Sequence, residues 1–362
     1  MSRCAIITGI AGQTGSYLLE LLLEKDYYVY GFVRRTASDT CRERIAHLET
    51  HPRVKLVYGD LTDSTSIASV VHQAIHHPSF TQSSHPLEIY NLAAQSHVKI
   101  SFELPIYTTH TDALGTLHFL ESIRQLPDDI RERVRFYQAS TSEMFGSSPP
   151  PQNETTQFHP RSPYGVAKLY AHWITVNYRE SYNIWACAGI LFNHESERRC
   201  KNFVTRKVTS AVAQHAHALR NGLPRQPLQL GNLDALRDWG YAPDYAEGIW
   251  MIMQQSQARE YVLATGISHT VRYLVEVAFK RKNIDIAWRK SGADEKGYDA
   301  TTNELLIEVN PKFYRPAEVE FLLGDCTLAR QALGWKPKIT FEDMIGRMVD
   351  SDYNASSNVL SK

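Results

Sequence analysis

Two short segments hold side chains whose types and spacing can do chemistry together. Residues 139–146, ASTSEMFG, offer the hydroxyls of Ser140, Thr141 and Ser142 beside the carboxylate of Glu143. Residues 162–170, SPYGVAKLY, offer Tyr164 and Lys168 four positions apart. Ser162 fits a helix N-cap and Pro163 the first helical turn, so Tyr164 and Lys168 share one helix face. A free phenol titrates near pH ~10, too high for a base at neutral pH. A neighbouring ammonium, or a positive ring bound alongside, favours the phenolate and lowers that value. Such a pair can take a proton from a hydroxyl while a hydride leaves the carbon that bears it. Glu143 can act as a further base, toward carbon. Ser140 to Glu143 also fits the spacing of a capping box. The segment leads into Phe145-Gly146 and prolines, however, so no helix is expected there.

The elements that must position these groups alternate along the chain. CAIIT precedes SYLLELLLEK, VKLVY precedes STSIASVVHQAI, LEIYNLAA precedes DALGTLHFLESIRQL, and VRFYQAS precedes the PYGVAKLYAHWITVNYRE helix. Continuous apolar strands alternating with amphipathic helices read as an α/β fold, a doubly wound parallel sheet of Rossmann-like type. The alternation persists to about residue 193. Beyond it helices dominate, with short strands such as PLQLG, EYVLATG, IDIAW and LLIEV. The expected division is a cofactor-binding domain over 1–193, with segments near 230–260 returning to it, and a smaller α/β substrate domain over 194–362. SGADEKGYDATT, 291–302, reads as an exposed polar loop. HHPSFTQSSHP, 76–86, reads as a polar surface loop, and SSNVLSK as a frayed tail.

The first strand–helix unit carries Gly9, Gly12 and Gly15 in TGIAGQTG. Glycines there allow a tight turn and let backbone N–H groups approach a dinucleotide pyrophosphate at the helix start. The second strand ends at Arg34-Arg35, where an NAD site usually carries an acidic residue for the ribose hydroxyl. Two guanidinium forks suit a 2′-phosphate instead, so NADP is the expected cofactor. Asp60 in GDL follows the third strand and can reach the adenine. Ala93 and Ala94 in NLAAQS follow the fourth and leave room for the cofactor backbone. Both fall at the carboxyl ends of strands, where open α/β sheets bind ligands.

Bulk properties exclude some classes. Lys+Arg and Asp+Glu are 39 each, which argues against a nucleic-acid partner held by a general basic field. No apolar run reaches the ~20 residues of a membrane helix. The N-terminal MSRCAIITG has no signal-peptide layout. Five scattered cysteines, Cys4, Cys41, Cys187, Cys200 and Cys326, read as reduced thiols in a cytoplasmic protein. His72, His76 and His77 lack acidic or cysteine partners nearby in sequence, and no metal is expected.

TGIAGQTG, NLAAQS and YGVAK together resemble the extended short-chain dehydrogenase/reductase superfamily that acts on nucleotide sugars. With FYQASTSEMFG, GILFNHESERR, NFVTRK, LGNLDALRDWGYAPDY, YRPAEV and LGWKPKITFEDM, the chain resembles its GDP-mannose 4,6-dehydratase family over nearly its whole length. The resemblance implies an NADP-dependent hydro-lyase of nucleotide-sugar metabolism, on the route to GDP-fucose. It would oxidise GDP-mannose at C4, abstract the C5 proton, expel water and return hydride to C6, giving GDP-4-keto-6-deoxymannose. It assigns Thr141 to the C4 oxygen, Glu143 to the C5 proton, Ser142 to the departing C6 hydroxyl, and Tyr164 with Lys168 to the hydride step. It adds Gln13, Thr14, Leu61, Leu92, Ser96, Tyr107, His194 and Arg199 to the cofactor site. Asn193, Lys207, Arg237 and Arg315 fall to the GDP moiety, with Ser96, Val204 and Glu318 also on the substrate. A homo-oligomer, dimer or tetramer, is implied, with Arg198-Arg199 suited to a contact near the cofactor phosphate. The alternatives are a bifunctional enzyme that reduces the product to GDP-rhamnose, a nucleotide-sugar epimerase or decarboxylase, and a non-catalytic NADP sensor. Three departures stand out. Thr14 replaces a usual acidic residue and is expected at the solvent edge. Met144-Phe145 replaces Leu-Tyr, removing a hydroxyl beside Glu143. The 147–153 stretch is one residue short.

Overall fold

The computed structural model of the chain describes residues 2–35, 42–314, 317 and 319–360, with side chains described as far as residue 356. The described strands are β1 Arg3–Thr8, β2 Tyr27–Val33, β3 Val54–Tyr58, β4 Leu87–Asn91, β5 Val134–Thr141, β6 Trp185–Leu191, β7 Asn193–Glu195, β8 Leu228–Leu230, β9 Leu236–Tyr241, β10 Glu260–Leu263, β11 Ser268–Thr270, β12 Ile286–Arg289, β13 Lys296–Asp299 and β14 Leu305–Val309.

Seven strands form one parallel sheet in the order β10-β6-β5-β4-β1-β2-β3. β1 pairs β2 on one side and β4 on the other, so the winding reverses there and leaves a crevice at the strands' carboxyl ends. The apolar runs have the burial such a sheet needs: every residue of β4 is buried, as is all of β1 but its first. One face is covered by Leu18, Leu19 and Leu22 of the helix Gln13–Glu24 with Ile249 and Ile252 of the helix Ala242–Met253. The other is covered by Ile67 and Val70 of the helix Ser64–Ile75 with Phe119 and Leu120 of the helix Gly115–Arg124. Each such side chain contributes about 1.5–3 kcal/mol of transfer free energy. The sheet takes its last strand, β10, from well beyond residue 193.

A third apolar cluster builds the rest. Val208 and Val212 from the helix Val204–Arg220 pack with Leu274 and Phe279 of the helix Val271–Lys280 and with Met344 and Met348 of the helix Phe341–Leu360. Two small sheets lie here, β11-β9-β7 and β12-β13-β14-β8.

Three expectations are corrected. Residues 291–302 are not an exposed loop, since β13 sits inside a four-stranded sheet with Gly297 and Asp299 buried. Their polar side chains are paired rather than solvated: Asp299 accepts the amides of Thr301 and Thr302, and Glu295 pairs with Arg272. Within 76–86, Pro78–Thr81 forms a helical turn capped by His77, and Phe80 is buried beneath the Arg133 guanidinium, 4.1 Å from its ring centre. The C-terminal helix continues through the presumed frayed tail to Leu360. The His72 and His76 rings pack at a tilt, 4.2 Å between centres. Cys4, Cys187 and Cys326 are buried free thiols and Cys200 an exposed one, while Cys41 lies outside the described residues. No described helix is long and apolar enough to cross a membrane.

Candidate active site

The strand ends at the crevice are tied together before any ligand is considered. The Thr8 hydroxyl at the end of β1 donates to Asn91 Oδ1 (2.8 Å) and accepts the amides of Leu92 and Ala93 (2.9 Å each). Asn91 Nδ2 donates to Gln138 Oε1 of β5 at 2.8 Å. This buried strut fixes β1, β4 and β5 against one another. Gly9 opens the turn after β1 with φ +66, and a Cβ there would stand 3.0 Å from the Ala93 backbone. Two constraints thus fall on one residue, left-handed backbone and close approach.

His194 closes this turn from the far side. Its Nδ1 lies 2.9 Å from the Phe192 carbonyl and its Nε2 2.8 Å from the Thr14 hydroxyl, and its ring stacks on Tyr245 at 4.7 Å. Burial pushes its pKa down to about 4, so the ring is neutral, donating from Nδ1 and accepting at Nε2. Gln13 Nε2 donates to the His194 carbonyl at 2.8 Å. Thr14, expected at the solvent edge, is partly exposed, and its hydroxyl also holds His194.

Arg34 lines the crevice and donates to the Tyr107 hydroxyl. Arg35 does not line it. Its guanidinium sits 5.2 Å over the Tyr58 ring, because consecutive residues leaving a strand point to opposite sides. Two other arginines, Arg42 and Arg44, line the crevice. Arg44 donates to the Ala11 carbonyl at 3.0 Å and the Arg198 carbonyl at 2.7 Å, and Arg42 forks onto Glu49 at 2.8 Å. The only sequence signal for them is the RER run that follows the arginine pair.

β5 and the helix Pro163–Tyr182 bring the two chemistry-bearing segments together. Thr141 ends β5, and its hydroxyl accepts the Glu143 amide at 3.2 Å. It thereby caps a single tight turn, Ser142–Met144, where no helix was expected. The cap is Thr141 and not Ser140, whose hydroxyl instead meets His172 Nδ1 at 3.1 Å. Ser162 caps the helix by accepting the Gly165 amide at 3.0 Å. A Cβ on Gly165 would lie 2.8 Å from the Glu143 carbonyl oxygen, so only glycine lets this helix press against that turn. Thr141, Ser142, Glu143, Tyr164 and Lys168 are all buried and all face one cavity.

Electrostatically the pair is at rest. Burial raises the Tyr164 phenol well above its usual range. The charges of Asp112 and Glu143 raise it further, against a hydrogen bond from Thr141 and the charge of Arg199. Burial lowers the Lys168 ammonium, and the charge of Asp112 opposes that. Asp112 itself is pushed up to about 7, by burial first. Without an added positive charge the phenol keeps its proton. Phe145 packs against Phe158 and Phe192, at 5.1 and 6.0 Å between ring centres, and does not line the cavity. The tyrosyl hydroxyl missing there belongs to the core side.

The other end of the cavity is assembled from β7, β9 and the start of the helix Val204–Arg220. Asn193 on β7 pairs in register with Trp239 on β9, two residues beyond Arg237. The Asn193 side-chain oxygen is buried with no hydrogen-bond partner among the described residues. Lys207 donates to the Gln229 carbonyl at 2.7 Å and lies 3.6 Å over the Phe313 ring. Lys99, which sequence reasoning missed, approaches the same ring at 5.5 Å and donates to the Lys312 carbonyl at 2.9 Å.

One cavity of about 880 Å³ joins the two ends. Its walls include every site residue named from the sequence, except Arg35 and the two that lie outside the described residues, Arg315 and Glu318. Asp60, Leu61, Leu92, Ala94, Ser96 and Arg199 are among them, as is Val204.

Against known proteins, residues 6–348 match the sequence pattern of the family described as GDP-mannose 4,6 dehydratase. The chain is 49% identical to a GDP-mannose 4,6 dehydratase of Drosophila melanogaster over 97% of its own length and 86% of that protein's. It is 48% identical to the Homo sapiens GDP-mannose 4,6 dehydratase, over 96% and 91%. Its fold is that of a Bacillus anthracis dTDP-glucose 4,6-dehydratase solved in complex with NAD (TM-score 0.75, 19% identity, 99% and 98% coverage). It is equally that of a Thermotoga maritima UDP-glucose 4-epimerase solved with UDP-glucose (TM-score 0.77, 20% identity, 98% and 99%).

Proposed function

The chain belongs to the GDP-mannose 4,6-dehydratase family, and from that premise we propose that it converts GDP-mannose to GDP-4-keto-6-deoxymannose with NADP in its crevice. One observation carries the reading: Glu143 is buried in the same cavity as Tyr164 and Lys168, on the turn that Thr141 caps. A hydride-transfer site needs only the pair. A carbon base beside it serves an elimination.

The glycine turn and the open strand ends fit a dinucleotide, since the Gly9 backbone leaves no room for a side chain and the helix behind it opens on the cavity. When bound, the nicotinamide supplies reversible uptake of a hydride, from C4 and back to C6, together with a positive charge in its oxidised form. Tyr164 takes the proton of the C4 hydroxyl, and Lys168 stabilises the resulting phenolate. Thr141 holds the C4 oxygen by its hydroxyl. The C4 ketone acidifies the neighbouring C–H, and Glu143 takes the C5 proton. Ser142 assists the C6 hydroxyl, which departs as water with one of the two protons collected by Glu143 and Tyr164, and the other returns to C5 as C6 regains the hydride. Burial of all five groups keeps bulk water from the eliminated centre.

Support for NADP over NAD comes from Arg34, Arg42 and Arg44 on the cavity wall, a set suited to a phosphate. Lys207 and Arg237, with Asn193, are suited to the GDP diphosphate and ribose. The proposed division of labour gives the cofactor residues 1–193 together with the returning segments, and the sugar nucleotide most of the remainder. Val166, Tyr170 and Trp173 stand exposed at helical spacing on the helix Pro163–Tyr182, which supports a homo-oligomer. The described cysteines are free thiols, which supports a cytoplasmic setting.

The test is incubation of the pure protein with GDP-mannose, with and without added NADPH, and product analysis by mass. Loss of one water with no net use of reductant is expected. A further gain of two hydrogens when NADPH is supplied identifies the bifunctional enzyme, and absence of turnover overturns the reading.

A further inference from the structure

Two ammonium groups meet at one aromatic ring on the wall of the cavity. Lys207 Nζ stands 3.6 Å from the centre of the Phe313 ring and Lys99 Nζ 5.5 Å from it, and all three residues line the cavity. Lys207 enters from the first turn of the helix Val204–Arg220. Lys99 enters from the first turn of the helix Val98–Glu103, which His97 caps and which follows the end of β4. Neither ammonium pairs with a carboxylate among the described residues. Lys99 donates to the Lys312 carbonyl at 2.9 Å and Lys207 to the Gln229 carbonyl at 2.7 Å. The carboxylates on the same wall are engaged elsewhere. Asp60 accepts from Thr62, Glu195 pairs with Arg199 at 3.0 Å, and Glu143 sits on the turn that Thr141 caps. Like charges held together on a partly buried wall destabilise one another. Burial lowers the Lys207 ammonium, and the charge of Lys99 lowers it further. An anion shared by the two removes that repulsion. Each ammonium has three N–H donors and places one on a carbonyl, so donors remain for it.

We propose that Lys99 is a substrate-binding residue: with Lys207 it forms a two-ammonium clamp on the diphosphate of the sugar nucleotide, reaching it from the helix that follows β4. The inference rests on the proposed reading that this end of the cavity receives GDP-mannose. Each phosphate of the bridging diphosphate carries a negative charge, and each lysine supplies a compact positive one on a flexible stem. The attraction is between charges in a wall open to solvent on one side, so added salt weakens it. A lysine that merely tethered the Lys312 turn would act through shape instead, and salt would leave its effect unchanged.

The experiment is calorimetric titration of the cofactor-loaded enzyme with GDP, at about 50 mM and about 500 mM KCl. Lys99→Met keeps the stem and removes the charge. Its Kd for GDP is expected to exceed that of wild type about tenfold at the lower salt and about threefold or less at the higher. Lys99→Arg keeps the charge and is expected within about threefold of wild type at both. An unchanged Kd in Lys99→Met overturns the proposal. So does a loss of the same factor at both salts, or one that Lys99→Arg shares in full. Should Lys99→Met not yield folded protein, Lys99→Gln removes the charge with a polar end and is read by the same two ratios. Failure of the wild type to bind GDP overturns the underlying reading, while wild-type binding that Lys99→Met leaves intact overturns this inference alone.

Discussion

The cofactor end of the cavity is made by the carboxyl ends of five parallel strands, β1 to β5, held in register by their ladders and by the Thr8–Asn91–Gln138 strut. The end proposed for the sugar nucleotide gathers β7, β9, the start of the helix Val204–Arg220 and the segment around Phe313, elements far apart in sequence. At the first end, a ligand meets a rim whose geometry one sheet dictates. At the second it meets cations that already rest on neutral partners, Lys207 and Lys99 on carbonyl oxygens and an aromatic face. The first end is built for placement to fractions of an ångström, which bond-breaking requires. The second is built for attraction and tolerates adjustment.

That contrast breaks most visibly at Glu143. Glu143→Gln is expected to lower dehydration by about 10²–10⁴-fold while C4 oxidation stays measurable as transient NADPH absorbance. Full water loss in the variant would remove Glu143 as the base. The dryness of the first end gives the next effect. His194 on its wall and His172 behind Ser140 are both buried, and burial pushes each imidazole down to about 4, well below its ordinary range. Such a base is protonated first in the unfolded chain, so stability present above pH ~6.5 is lost as pH falls toward ~4. His172→Gln should lose about 2 kcal/mol less than wild type between pH 7 and pH 5 in denaturant melts. An identical loss in both proteins would mean that the ring is solvated. At the looser end, Lys207→Met should raise the KM for GDP-mannose about tenfold with little change in kcat, the mark of binding shared by ground and transition states. A fall confined to kcat would place Lys207 among the reacting groups and erase the contrast. The smallest effect separates two neighbours. Arg34→Ala should weaken NADP about tenfold more than NAD, whereas Arg35→Ala should change both by about twofold at most, read by cofactor titration.

The same contrast explains what the sequence made legible. Runs such as LEIYNLAA announce a buried strand and the small residues at its end, and a sheet edge then collects successive strand ends without further information. Arg35 shows the limit at that edge, because adjacent residues diverge and the pair alone does not say which one turns inward. At the other end, Lys99 and Phe313 meet across more than two hundred positions, and no local pattern signals such a meeting. Residues 291–302 misled because acidic and glycine-rich composition describes a loop in water equally well as a strand whose charges are paired. The widened turn over Thr109–Leu114 was likewise invisible, since DALGT reads as regular helix.

The late arrival of β10 has a consequence for how the protein is made. While a ribosome is still elongating the chain, β6 has only β5 beside it, and its other edge, Ala188 to Leu191, stays bare until Glu260–Leu263 emerge. At ~5–20 residues per second, that interval of some seventy residues lasts ~4–14 s. An unpaired apolar edge exposed for seconds is the kind of surface on which nascent chains stick to one another.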